Sequence, residues 1–244
     1  MLVLLPPSET KAAGGDHAPL DLAALSFPEL NPVRERLTAA LVDLAEDVTA
    51  SLAVLGLSER QVDEVRRNAT LRQSPTAPAI ERYTGVLYDS LGVATFGKAQ
   101  RARADRRLAV ASALFGVLRP SDPIPAYRLS GATVLPGIGG LRGIWRTDLT
   151  KTLSTVDGLV VDLRSGPYAN LAAIPGAITV RVVTEETGAR TTVSHFNKAH
   201  KGKLAAALAT APREPTSIRT LVSVAGAAGI RLEQTGGTAL DLVI

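Results

Sequence analysis

Residues 108–118, LAVASALFGVL, are the longest uninterrupted apolar run in the chain, and residues 119–129, RPSDPIPAYRL, follow it at once. The run has about half the roughly 20 residues needed to span a bilayer. Its β-branched and small residues read as a buried strand over 108–114. Pro120, Pro123 and Pro125 then fix φ and remove three backbone donors, which makes a stiff extended connection. A rigid loop at the end of a buried strand is where α/β proteins build sites. Arg119 and Arg128 offer planar donor forks for phosphate or carboxylate, and Tyr127 offers a ring face and a hydroxyl. Asp122 reads either as a site carboxylate or as an internal tie for the loop.

The other elements extend outward from this strand. Met1–Leu5 is a short apolar run ended by Pro6–Pro7, a strand feeding the loop Ser8-Glu9-Thr10-Lys11. Apolar residues at helical spacing from Val33 to Leu55 predict one helix over 32–55, with Asn31 as its cap and Pro32 in the first turn. Gly56 breaks the pattern and Ser58 starts a helix through Asn68, with Gln61 completing a capping box. Further helices are expected over 78–91, 97–106, 147–155, 216–227 and through the alanine-rich stretch after Asn197. Strands are expected over 158–163, 177–184, 190–196, 229–233 and 238–243. Strands separated by helices make an α/β (α+β) fold: one domain over 1–244 with a mixed sheet, flanking helices and a helical lobe at about 32–107.

Composition narrows the chemistry. The 244 residues contain no cysteine, which excludes thiolate nucleophiles and cysteine-held metals. His195 and His200 are five apart, which suits no common ligand spacing, so neither a metal nor a cofactor is expected. The N-terminal MLVLLPPSETK lacks a charged segment before its apolar residues, so a cytoplasmic location without membrane insertion is expected. Net charge is +4, with a pI near 9.6. The positive charge clusters in KAQRARADRR, where Lys98, Arg101, Arg103, Arg106 and Arg107 read either as a solvated helix face or as a phosphate-binding one. A second cluster, Lys198, Lys201 and Lys203, stands at a strand-to-helix junction where N–H groups and the helix dipole favour an anion. The turn at Gly56–Ser58 matches half of a helix–hairpin–helix pattern and is explained equally by a plain helical hairpin. Uncharged or weakly acidic groups on loops (Ser8, Tyr88, Tyr127, Ser165, Tyr168), together with Lys11, Asp122 and Lys198, are candidates for acid–base work in a pocket.

The order of these fragments resembles the YaaA family of peroxide-stress proteins. The resemblance rests on LLPPSETK (4–11), ERYTGVLYDSL (81–91), ASALFGVLRPSDPIPAYRL (111–129), Trp145, LRSGPY (163–168) and FNKAHKGK (196–203). It implies a cytoplasmic α/β protein with a positively charged cleft, a helix–hairpin–helix element, binding to single- or double-stranded DNA with little sequence preference, and a role in limiting peroxide damage. It points to Ser8, Lys11, Tyr83, Gly85, Tyr88, Arg119, Pro120, Asp122, Tyr127, Arg128, Trp145, Ser165, Tyr168, Lys198 and Gly202. The chain departs from the family pattern at three places. Phe115 stands for a Tyr. Asp162 and Arg164 fall in a stretch that usually reads Asn-Leu-Ala-Ser, and Lys201 replaces an Arg. The alternative function is an enzyme whose partner is a small anionic ligand, phosphorylated or nucleotide-like.

Overall fold

The computed structural model describes all residues except 187–188 and 193–196, and the backbone alone of 186 and 189. In chain order the elements are β1 (Leu2–Leu5), β2 (His17–Pro19), α1 (Asn31–Leu44), α2 (Val48–Leu55), α3 (Val62–Ala69), β3 (Pro75–Pro78), α4 (Ala79–Arg82), α5 (Val86–Leu91) and α6 (Lys98–Arg107). The middle of the chain holds β4 (Leu108–Ser112), β5 (Gly116–Leu118), β6 (Pro123–Ile124), β7 (Val134–Leu135), β8 (Gly139–Gly140), α7 (Leu141–Ser154), β9 (Val160–Asp162) and α8 (Gly166–Ala169). It ends with β10 (Ile178–Glu186), β11 (Ala189–Thr192), α9 (Asn197–Thr210), α10 (Ile218–Ala227), β12 (Arg231–Gly236) and β13 (Ala239–Val243).

The main sheet runs β12-β13-β10-β9-β1-β4-β5, with β11 paired to β10. β1 lies parallel between β4 and β9. Every residue of β1 and β4 is buried, as expected where both faces of a parallel sheet are covered. The fold is therefore α/β with a mixed sheet. β2, β3 and β6 form a second, small sheet, and β7–β8 a two-stranded ribbon. β3 falls within the stretch read as a helical lobe.

The decisive apolar run is a hairpin and not one strand. β4 stops at Ser112, and β5 returns antiparallel from Gly116. Gly116 has φ +76°, and a Cβ there would stand 2.8 Å from the Trp145 ring, so both turn and packing demand glycine. The proline loop consequently leaves an edge strand, where the sequence reading has it leaving a central one. That edge is closed by Arg34 of α1. Its Nε donates to the Phe115 carbonyl (3.0 Å) and its Nη2 to that of Val117 (2.9 Å), while Nη1 donates to Asn31 Oδ1. A fully buried guanidinium thus takes the place of a neighbouring strand. Asn31 serves this contact from inside the helix, not the capping role expected of it.

Other boundaries differ for local reasons. The stretch 32–55 is two helices because Asp47 Oδ1 accepts from the Ala50 N–H (2.9 Å) and starts α2. The stretch 78–91 is broken at Tyr83, which pairs in antiparallel fashion with Lys11, and at Gly85. α7 begins six residues earlier than expected, at Leu141. The expected strand 190–196 is described only through Thr192, and the rest lies outside the described residues.

Candidate functional site

The chain passes from β1 to β4 on one side and later enters β9 on the other side of β1. Loops leaving the carboxyl ends of β1 and β9 therefore diverge, and a crevice opens between them. A cleft of about 470 Å³ lies there. Pro6–Thr10 enter it from β1, and Leu163, Ser165 and Tyr168 from β9. Thr84–Tyr88 enter at the start of α5, and Asn197, Lys198 and Lys201 from the first turns of α9.

The cleft is polar along one wall. Ser8 Oγ and Thr10 Oγ1 are 3.1 Å apart, and the Thr84 hydroxyl donates to Thr10 Oγ1 at 3.2 Å. Lys201 Nζ donates to the Leu163 carbonyl (3.2 Å), and burial pulls its pKa down against the opposing pull of Asp162. Lys198 is exposed at the mouth, and no donor among the described residues meets the buried Oδ1 of Asn197. Pro6, Pro7, Val86 and Leu87 supply apolar surface, and Val86 is 52 % exposed. Tyr88 and Tyr168 support the walls. The Tyr88 hydroxyl donates to the Pro6 carbonyl (2.8 Å), and the Tyr168 hydroxyl accepts from the Gly131 N–H (3.3 Å). Burial pushes both phenols up, so neither is an accessible base near neutrality.

Beneath the cleft floor lies a buried layer. Lys11 Nζ donates to the carbonyls of Ser8 (3.0 Å) and Glu9 (3.3 Å), and stands 4.3 Å from the Tyr127 ring centre and 5.5 Å from that of Tyr83. Burial draws its pKa down to about 8. The hydroxyls of Tyr83 and Tyr127 meet at 2.8 Å, and Tyr127 continues to Ser112 Oγ at 2.7 Å. Arg128 reaches Glu9 at 3.5 Å. All four tyrosines of the chain stand at or under this one cleft.

The model of the family described as peroxide stress protein YaaA matches residues 1–227. The chain belongs to the YaaA family. It is 50 % identical over 242 residues to a UPF0246 protein of Corynebacterium efficiens, covering 97 % of this chain and 96 % of that one. A UPF0246 protein of Corynebacterium glutamicum is 47 % identical over 239 residues (96 % and 95 % covered), and one of Streptomyces coelicolor 45 % over 229 residues (89 % and 87 %).

Of the residues to which the resemblance points, the structure brings Ser8, Gly85, Tyr88, Ser165, Tyr168 and Lys198 to the cleft, with Lys11, Tyr83, Tyr127 and Arg128 beside or beneath it. Two departures from the family pattern explain each other. Asp162 and Arg164 form an ion pair (2.8 Å), and Arg164 also holds the carbonyls of Tyr168 (3.1 Å) and Ala172 (2.9 Å), fastening the loop after β9. Phe115 meets the Tyr127 ring edge-on at 5.4 Å.

Arg119 and Asp122 stand apart from the cleft. The Arg119 guanidinium donates to the Arg106 carbonyl (2.9 Å) and lies over the Phe27 ring. Asp122 is 4 % exposed; its carboxylate accepts from the Ser26 hydroxyl (2.7 Å) and N–H, and from the Arg119 N–H (2.8 Å). These contacts make Asp122 the tie that the loop reading allowed for, through the Arg119 backbone and not its guanidinium. The basic run on α6 is similarly occupied. Arg101 pairs with Glu81 and Asp105; Arg103 donates to the Thr210 carbonyl; Arg107 is buried against the carbonyls of Leu208, Ala209 and Ala211. Arg103 and Arg107 therefore cap the C-terminus of α9. Lys98 and Arg106 are left exposed.

At the hairpin, Gly56 is the left-handed residue that closes α2 (φ 63°), with Leu57 N–H reaching back to the Leu52 carbonyl at 2.8 Å. Ser58 N–H is taken by Gln61 Oε1, and Glu59, Asp63 and Glu64 crowd the turn that follows. Lys203 and His200 line a different groove, of about 550 Å³, on the other side of α9. His195 lies outside the described residues. Thr10 and Thr84 are cleft residues that sequence reasoning did not single out; Thr10 sits in the SETK loop, where a polar side chain between two candidates was the available signal. Among the described residues no cluster of three or more His, Asp or Glu could hold a metal ion, and no helix is long and apolar enough to cross a membrane.

Proposed function

We propose that this peroxide stress protein works through the cleft between the carboxyl ends of β1 and β9, where it binds and acts on a small phosphorylated or nucleotide-like molecule. The observation that carries this reading is the meeting of Lys198, Lys201 and the Ser8–Thr10–Thr84 hydroxyls with an apolar wall at the sheet's switch point. Ammonium groups and the N-terminal end of α9, a 14-residue helix, favour a phosphate. Exposed Val86 with Pro6 and Pro7 suits a flat apolar group. Glu9, the two lysines and the hydroxyls are the residue types that acid–base chemistry on such a molecule draws on.

DNA binding, which the family resemblance implies, has weaker support here. Three of the five cations on α6 are spent on internal partners, and at the α2–α3 hairpin the Ser58 N–H is taken by Gln61 while Arg66 and Arg67 are paired with Asp63 and Glu64. Lys98, Arg106 and the α9 lysines are the cations through which it would act.

The test is a thermal-shift screen of mononucleotides and sugar phosphates, run beside fluorescence anisotropy with labelled duplex and single-stranded DNA. A ligand that raises the midpoint of the wild type but not of Lys201→Met supports the cleft. Salt-sensitive DNA binding without any small-ligand response would replace this reading with the nucleic-acid one.

A further inference from the structure

Lys11 is a buried ammonium that does not itself line the cleft. Its Nζ contacts are two carbonyls of one loop, Ser8 and Glu9, and two aromatic faces, Tyr83 and Tyr127. Those carbonyls belong to the segment whose side chains form the polar wall of the cleft. The charge therefore lies one peptide layer behind that wall.

We infer that Lys11 is the positioning residue of the cleft: its ammonium fixes the Ser8–Thr10 loop from behind, and its charge selects an anionic occupant in front. The inference rests on the small-ligand reading proposed above. A lysine is suited to this place because a compact ammonium with three donors can serve two carbonyls and still face a ring. The backbone of the same residue pairs with Tyr83, and Thr84 N–H donates to the Thr10 carbonyl, so the clamp joins the β1 loop to the segment that begins α5.

The groups that face Lys11 set the consequence. Glu9 on its own loop and Glu64 on α3 favour the charged form; Arg128 and Arg67 oppose it; burial, the largest influence, brings it down to about 8. An anion in the cleft adds to the favourable side. By reciprocity the charged form of Lys11 strengthens anion binding, and binding weakens as pH rises through the range in which Lys11 loses its proton.

Titration of adenosine 5′-monophosphate, used as probe, into the wild type, Lys11→Met and Lys11→Arg at pH 7 and pH 9 tests this. Loss of the charge should weaken binding roughly tenfold at pH 7, the order expected for one buried charge near an anion. The wild type should weaken several-fold more than Lys11→Arg between the two pH values, because the guanidinium keeps its charge. This second comparison stands even if Lys11→Met fails to fold, and it subtracts the titration of Lys201, which both proteins retain. A folded Lys11→Met that binds like the wild type at both pH values overturns the inference, as does a Lys11→Arg with the wild-type pH response. If the wild type binds neither this probe nor any phosphate ester, the cleft reading itself fails, and this inference falls with it.

Discussion

Gly202 offers a sharp test of how the cleft is assembled. It lies in α9, one residue after Lys201, where α9 crosses α5. A Cβ at this position would stand 2.8 Å from Ser90 Cβ and closer still to the Leu87 carbonyl oxygen, so the obstacle is largely backbone that cannot swing aside. Replacement by alanine forces the two helices apart. Overpacking of this kind costs about 3 kcal/mol at the upper end of its usual range, and alanine returns about 1 kcal/mol of helix propensity, leaving a net loss of about 2 kcal/mol. For a chain of this size that is a fall of about 4–8 °C in the unfolding midpoint. Gly226 in α10 is the internal control: it is exposed, helical, and a Cβ there meets nothing within 4 Å. Gly226→Ala should gain about 1 kcal/mol and raise the midpoint by about 2–4 °C. Scanning calorimetry on both variants gives opposite signs if α5 and α9 touch as described. A Gly202→Ala midpoint equal to or above that of the wild type would refute the contact, and with it the geometry that brings Val86 and Lys201 to one cleft.

Three further outcomes are expected. Arg34→Met leaves the carbonyls of Phe115 and Val117 unpaired in the interior, at about 1–3 kcal/mol each, and should lower the urea midpoint without changing ligand binding. Lys98→Glu with Arg106→Glu should leave the unfolding midpoint near that of the wild type, whereas Arg103→Glu with Arg107→Glu should lower it sharply, since the second pair uncaps α9; calorimetry on both double variants checks this. Stability should also follow pH through two buried groups. Lys11 has a folded pKa near 8, below its unfolded value, so the unfolded chain binds more protons between pH 8 and 10.5 and stability rises across that window. Tyr83 is pushed up to about 12, so above pH 10 the unfolded chain releases its proton first and stability falls. Denaturant titrations should show a larger rise in the wild type, on the order of a few kcal/mol at most, than in Lys11→Met, which keeps only the contribution of Lys201.

Periodicity exposed the sheet strands β1, β4, β9 and β13 because burial on both faces writes itself as apolar runs, and β10 because its apolar residues alternate with the exposed Thr179 and Arg181. It misplaced breaks that single side chains impose. Asp47 ends one helix and begins another inside an unbroken apolar pattern, and Gly116 turns a strand into a hairpin by a conformation that no period records. The cleft was legible through loop residues that follow strands, such as Ser8 and Ser165. Charge was the misleading signal. Arg34, Arg82, Arg107 and Arg164 are all buried, Arg164 fastening carbonyls of its own loop and the others carbonyls from distant segments; Arg82 alone serves Ile124 (3.1 Å), Gly14 (2.7 Å), Pro75 and Ala12. A basic composition therefore overstated the positive surface, because a guanidinium that completes an interior looks in sequence like one that meets a phosphate.

The most direct test of the central claim is a crystal structure of the protein soaked with the strongest mononucleotide or sugar phosphate from the thermal screen. The phosphate should lie within hydrogen-bond reach of Lys198 and Lys201, with the rest of the ligand along Pro6, Pro7 and Val86. A ligand bound in another groove, with this cleft holding only solvent, would contradict it.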